Sequence, residues 1–229
     1  MKHGETETLL QKIDLFRDLC EEELAKIGQL LIRRVFRDKD LVFLQAQPLE
    51  HVYFIAEGKV KICRTDENGR EQVVNLLQAG DFFPHVGFFQ PEAVYPADAV
   101  LLEDGVLLAL PTARFRALIQ SHPALCMKLL AVLEGKYTEL QGRLKEMVLH
   151  DTFGRIVMQL LRLARMHGQP EGDRVRLTIP LTNQELANMI GTSRETVNRT
   201  LSQLRKSGAV EVGQDHHLLI RVDVLEGQL

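Results

Sequence analysis

Apolar residues recur at helical spacing near the start of the chain: Leu9, Ile13, Phe16 and Leu19, then Leu24, Ile27 and Leu31. Asp18 and the run Glu21 to Glu23 punctuate this stretch, which predicts short opening helices over residues 8–32. From about Val35 to Leu110 the pattern changes to short β-prone runs. Leu41-Val42-Phe43-Leu44, Val52-Tyr53-Phe54-Ile55, Val60-Lys61-Ile62-Cys63, Val73-Val74-Asn75-Leu76-Leu77 and Val106-Leu107-Leu108-Ala109-Leu110 are separated by turn residues. The turns fall at Glu57-Gly58, Asp66-Glu67-Asn68-Gly69, Ala79-Gly80-Asp81 and Asp104-Gly105. Strands and turns at this spacing predict an antiparallel sandwich or jelly roll, with Asn68-Gly69 as its clearest hairpin turn.

After Pro111 the helical period returns. Cys126, Leu130, Leu133, Tyr137, Leu140, Leu144 and Met147 alternate steps of four and three, which lays one apolar stripe along a helix and suits a parallel two-chain seam. Pro111 to His150 reads as a single helix, and at about 1.5 Å per residue it outruns one small domain. A homodimer is therefore expected; the alternative is an amphipathic helix packed on its own domain. The division that follows is a β-roll domain over 1–112, a dimerisation helix over 113–150 and a further domain over 151–229, an α+β protein as a whole.

In that last part an amphipathic helix (Phe153, Ile156, Val157, Leu160, Leu161, Ala164) and a strand (Val175 to Ile179) flank a loop from Met166 to Arg174. Thr182-Asn183-Gln184-Glu185 then has the form of a capping box, opening a helix whose inner face is Leu186, Ala187 and Ile190. Gly191 makes a turn, and Thr192-Ser193-Arg194-Glu195 repeats the capping form. The second helix would bury Val197, Leu201 and Leu204 and expose Arg194, Glu195, Asn198, Arg199 and Ser202. Two short helices joined through glycine predict a helix-turn-helix. Its second helix would enter the major groove of double-stranded DNA, where arginine can contact guanine O6 and N7 and glutamate can accept from cytosine N4. Thr182, Thr192, Ser193 and Lys206 join Arg194, Glu195, Asn198 and Arg199 as expected DNA contacts. Val210-Glu211-Val212 and Leu218-Leu219-Ile220 flank Gly213 to His217 and predict a wing.

A formal charge of −3 would argue against a polyanionic partner. The total hides a local excess: from Thr192 to Lys206 four bases face one acid, net +3. With 229 residues and 45% hydrophobic content the chain can build two cores. The apolar stretch Ala99 to Leu110 is interrupted by Glu103 and Asp104, and the polar start resembles no signal peptide, so a cytoplasmic protein without membrane contact is expected. Cys20, Cys63 and Cys126 are far apart and read as ordinary thiols rather than zinc or iron–sulfur ligands. His216 and His217 lack a third ligand nearby, and no metal is expected there.

Ser193-Arg194-Glu195-Thr196-Val197-Asn198-Arg199 closely resembles the recognition helix of the CRP/FNR family. Asp151-Thr152-Phe153-Gly154-Arg155-Ile156 is similar to that family's entry into its DNA domain, and Gly80-Asp81-Phe82-Phe83 to its effector-domain turn. The resemblance implies a jelly-roll effector domain, a dimerisation helix, a C-terminal winged helix, RNA polymerase as a partner and no enzymatic activity. It also places Arg194, Glu195 and Arg199 on the base-reading positions of the cyclic-AMP-responsive members, which implies a TGTGA-like half-site. Asn198 departs from the glycine found there.

In nucleotide-binding members a glutamate meets the ribose and an arginine meets the phosphate; here those places hold His85 and Tyr95. No lysine or arginine occurs between Arg70 and Arg114, so a buried phosphate would lack a charge-assisted partner. An effector other than cyclic AMP is expected, with Phe83, His85 and Tyr95 as pocket candidates. Its identity is open: a largely uncharged ligand is one candidate, and haem with His85 as axial ligand is another. Two rival readings are a cyclic-nucleotide signalling module without DNA contact and a jelly-roll metal-dependent enzyme. The helix-turn-helix speaks against the first, and the isolation of His51 and His85 against the second.

Overall fold

The computed structural model describes residues 8–65, 71–179, 181–213 and 217–229, without the side chains of Arg143, Glu146, Met147 and Val148. The chain divides into two compact units, Met1–Thr138 and Glu139–Leu229.

In the first unit residues 8–11 are helical, and helix α1 spans Glu21–Gly28. Its three opening glutamates favour the positive end of the helix dipole. Among the described residues eight strands follow: β1 (Ile32–Phe36), β2 (Leu41–Phe43), β3 (His51–Glu57), β4 (Lys59–Thr65), β5 (Glu71–Gln78), β6 (Phe82–Phe83), β7 (Asp98–Leu101) and β8 (Gly105–Pro111). They form two four-stranded sheets, β1-β8-β3-β6 and β2-β7-β4-β5, in which every neighbour is antiparallel. The expected jelly roll is present. Strand β8, paired on both edges by β1 and β3, is buried along nearly its whole length. Phe16, Phe54, Phe83, Phe88 and Phe115 are the largest side chains sealed in the core, with Phe88 meeting Phe115 edge to face at 5.0 Å.

Two local expectations need correction. Strand β1 starts at Ile32, within the stretch read as helical, and four of its five residues are exposed. It lies at a sheet edge, so it shows no inside-outside alternation. Between β4 and β5 the register pairs Ile62 with Asn75 but Cys63 with Val73, so that β5 carries one extra residue, Val74, at a β-bulge. The tip of this hairpin, Asn68-Gly69 included, lies outside the described residues.

The segment from Pro111 to His150 is not one helix. Helix α2 (Thr112–Ser121) and helix α3 (Pro123–Leu149) are separated at His122, whose backbone is extended (φ −126°, ψ 91°). Pro123 has no N–H to continue the ladder and disfavours a helical residue before it. Helix α3 has 27 residues, about 40 Å at the usual rise. Along it Leu130, Tyr137, Leu140 and Leu144 are each more than half exposed (52%, 61%, 56% and 57%). Cys126 and Leu133 are partly buried against the roll; the side chain of Met147 lies outside the described residues.

The second unit begins with α4 (Thr152–His167), capped by Asp151, whose carboxylate accepts from Gly154 N–H at 2.8 Å. Strands β9 (Gly168–Glu171), β10 (Arg174–Leu177), β11 (Val210–Val212) and β12 (Leu218–Ile220) form a sheet in the order β11-β12-β10-β9. Helices α5 (Asn183–Ile190) and α6 (Arg194–Lys206) lie between β10 and β11 in the chain, and α7 (Val222–Glu226) closes it. The residues read as a loop from Met166 to Arg174 are the end of α4, strand β9, a two-residue turn at 172–173 and the first residue of β10, with which β9 pairs, and the strand expected over Val175 to Ile179 ends at Leu177. The wing is present: β11 pairs with β12, and Gly213 N–H donates to the His217 carbonyl at 2.8 Å. His216 lies outside the described residues. Among the described residues no helix is long and apolar enough to cross a membrane.

Candidate DNA interface and effector cavity

Helix α5 is started by Thr182. Its hydroxyl accepts from Glu185 N–H at 3.1 Å while the Glu185 carboxylate accepts from Thr182 N–H at 2.9 Å, the reciprocal box that the sequence predicts. The helix stops at Gly191, which takes the left-handed conformation (φ 73°, ψ 47°) that costs least without a β-carbon. Gly191 and Thr192 both donate to the Ala187 carbonyl, at 2.9 and 3.0 Å.

Helix α6 starts one residue later than its capping pattern suggests. Ser193 is the cap and its Oγ accepts from Thr196 N–H at 3.1 Å; Thr192 sits in the turn. Glu195 is thereby released from the capping role that the sequence pattern gives it. Val197, Leu201 and Leu204 are buried, which anchors the helix and fixes which face is left outward. Arg194, Glu195, Asn198, Arg199, Arg205 and Lys206 are exposed. Among the described residues the side chains of Arg194, Glu195 and Arg199 engage no hydrogen bond or ion pair. Asn198 is tethered: its Oδ1 accepts from Asn183 Nδ2 of α5 at 3.3 Å. This link between the two helices was not legible in the sequence, because Asn183 reads there only as part of a capping box. Arg155 of α4 supports the turn from behind by donating to the Ile190 carbonyl at 3.4 Å.

The first unit contains a cleft of about 190 Å³ between β4, β5, the turn after β6 and the approach to β7. Phe43, Ile62, Val74, Leu77, Phe83, Pro84, Val86 and Ala97 give it an apolar lining, and Arg64, Asn75 and His85 are its polar side chains. Of the three candidates from sequence, Phe83 and His85 line the cleft and Tyr95 does not. Tyr95 stacks flat on Phe43 with ring centroids 3.6 Å apart. Its hydroxyl donates to the His51 carbonyl and accepts from His51 N–H, both at 3.1 Å. These two bonds pin the loop to β3, and burial pushes the Tyr95 phenol well above the usual range.

The expectation that this region lacks a cation is corrected as well. Strand β4 delivers Arg64 from outside the stretch between Arg70 and Arg114, and its Nε donates to the Pro96 carbonyl at 3.0 Å. A cleft of this size is below the roughly 300–1,000 Å³ of most ligand pockets and close to the ~150 Å³ that holds benzene. Among the described residues no three histidine, cysteine or acidic side chains gather as a metal site. Cys20, Cys63 and Cys126 are free thiols, and burial pushes Cys63 up to about 12, which keeps it protonated and unreactive.

Comparison with known proteins places both units. Residues 33–122 match the cyclic nucleotide-binding domain, and residues 154–226 the Crp-like helix-turn-helix domain. The chain is 32% identical over 199 residues to the cyclic AMP receptor protein of Thermus thermophilus, covering 87% of this chain and 88% of the relative. It is 28% identical over 204 residues to a CRP-like cAMP-activated global transcriptional regulator of Mycobacterium tuberculosis, covering 89% and 91%. In fold it is similar to the c-di-GMP-responsive global regulator CLP of Xanthomonas campestris, with a TM-score of 0.75 at 20% identity over 88% of this chain and 99% of that one. A jelly roll of the nucleotide-binding type followed by a helix-turn-helix with an outward polar face is an arrangement of regulators rather than of enzymes, and the chain belongs to the CRP/FNR family of transcription regulators.

Proposed function

We propose that this protein is a cytoplasmic homodimer that reads a palindrome of two TGTGA-like half-sites with α6, engages RNA polymerase at the promoter, and is switched by an effector other than cyclic AMP held in the roll cleft. The observation that carries this reading is the outward face of α6. Arg194, Glu195 and Arg199 stand exposed on a helix whose opposite side is fixed by Val197, Leu201 and Leu204. Long polar side chains held on a rigid element are what direct readout of base edges requires.

The exposed stripe Leu130, Tyr137, Leu140 and Leu144 supports the dimer, since a second copy of α3 would cover it. The names of the relatives point to cyclic AMP, but the residues argue otherwise. His85 and Tyr95 stand where nucleotide-binding members have a glutamate and an arginine, and the cleft is small for a nucleotide. The effector would act by shifting the population of DNA-competent dimers.

Fluorescence anisotropy on a TGTGA palindrome and its single-base variants tests the reading. Arg194→Ala should cost roughly 1–3 kcal/mol and relax one guanine position, and affinity should fall steeply with salt. If Arg194→Ala discriminates among all the variants as the parent does, the assignment of α6 fails.

A further inference from the structure

We infer that the roll cleft takes a small monocarboxylate with an apolar body of about one ring, and that Arg64 binds its carboxylate. The inference rests on the reading of the cleft as the effector site, and adds the chemical class of the ligand. Size sets the first limit: about 190 Å³ is slightly more than a benzene-sized cavity.

The lining sets the second limit. Ile62, Val74, Leu77 and Phe83 offer hydrocarbon, and burying a ligand's apolar surface against them is favourable in proportion to the area removed from water. The bulge in β5 contributes here. In a regular strand successive side chains point to opposite faces, yet Val74 and Asn75 both line the cleft, at the point where the β4–β5 register shifts. An apolar wall and an amide donor thus stand side by side.

Charge sets the third. The lining contains an arginine and a histidine and no acid, so nothing in it competes for a cation or repels an anion. The Pro96 carbonyl holds Arg64 through Nε and fixes the plane of the guanidinium. The two terminal nitrogens keep a parallel pair of N–H groups, and among the described residues they have no partner. That fork matches a carboxylate bidentately. An uncharged ligand would leave these donors unused.

Calorimetry on the full-length protein with benzoate, isovalerate, benzamide and cyclic AMP tests the proposal. Benzoate or isovalerate should bind, benzamide at least tenfold more weakly than benzoate. Arg64→Gln should weaken the acids at least tenfold without changing benzamide, and Arg64→Lys should restore part of the loss. Val74→Trp, which fills the cleft, should abolish binding of all of them. The proposal is overturned if neither acid binds, if Arg64→Gln leaves acid binding intact, if benzamide equals benzoate, or if acid binding survives Val74→Trp. Tight binding of cyclic AMP that Val74→Trp removes would overturn the carboxylate class while leaving the cleft as effector site. Operator binding by the same preparations, measured with and without ligand, reports separately on the DNA-binding and effector readings.

Discussion

Asn198 and Asn183 share a hydrogen bond across the two helices of the DNA motif, and this makes the contribution of one depend on the other. With one lone pair of its Oδ1 engaged, Asn198 is steered to present its amide N–H groups outward, toward an acceptor such as a phosphate oxygen or guanine O6. Asn198→Ala and Asn183→Ala should each weaken operator binding by about 0.5–1.5 kcal/mol, the net value of an ordinary hydrogen bond. The double variant should lose little more than either single one, and a double-mutant cycle by anisotropy measures that coupling. Additive losses would show that Asn183 does not act through Asn198. At this scale the sequence was informative where chemistry is local. The exposed trio of α6 follows from the 3.6-residue period alone. It was uninformative where strands bring distant residues together: Arg64 reaches the cleft through the β4 hairpin, and Tyr95 is drawn away from it by stacking on Phe43.

Elements were legible in proportion to how strongly one of their faces is buried. Strands β3 and β8 lie inside their sheet and show long apolar runs, whereas β1 and β9 are edge strands and look like helix or loop in sequence. The exposed apolar stripe of α3 was legible because it has a period of its own; the break at His122 was missed because the whole stretch from Pro111 to His150 was read as one helix, although Pro123 marks its interruption. In this element Leu140→Glu and Leu144→Glu should each disrupt dimerisation without unfolding the chain, since both side chains are exposed in the single chain. Sedimentation together with far-ultraviolet circular dichroism checks this: the expected result is a shift to monomer with unchanged helicity, and a variant that remains fully dimeric would place the interface elsewhere.

For the whole molecule, the proposed recognition depends on two copies of α6 meeting one face of a duplex. Adding about five base pairs between the half-sites, half a helical turn, should therefore reduce affinity to that of a single half-site, and adding about ten should restore part of it. A gel-shift series over such spacers checks this; indifference to spacing would mean that subunits bind independently. The division of the chain between Thr138 and Glu139 falls inside α3, with Leu130 and Tyr137 on one side and Leu140 and Leu144 on the other. Each unit thus carries only part of the proposed dimer stripe. A gene fusion that transplanted residues 139–229 onto another sensor would import an incomplete pairing code, so exchange of such modules between regulators is workable only where the crossover spares the entire helix.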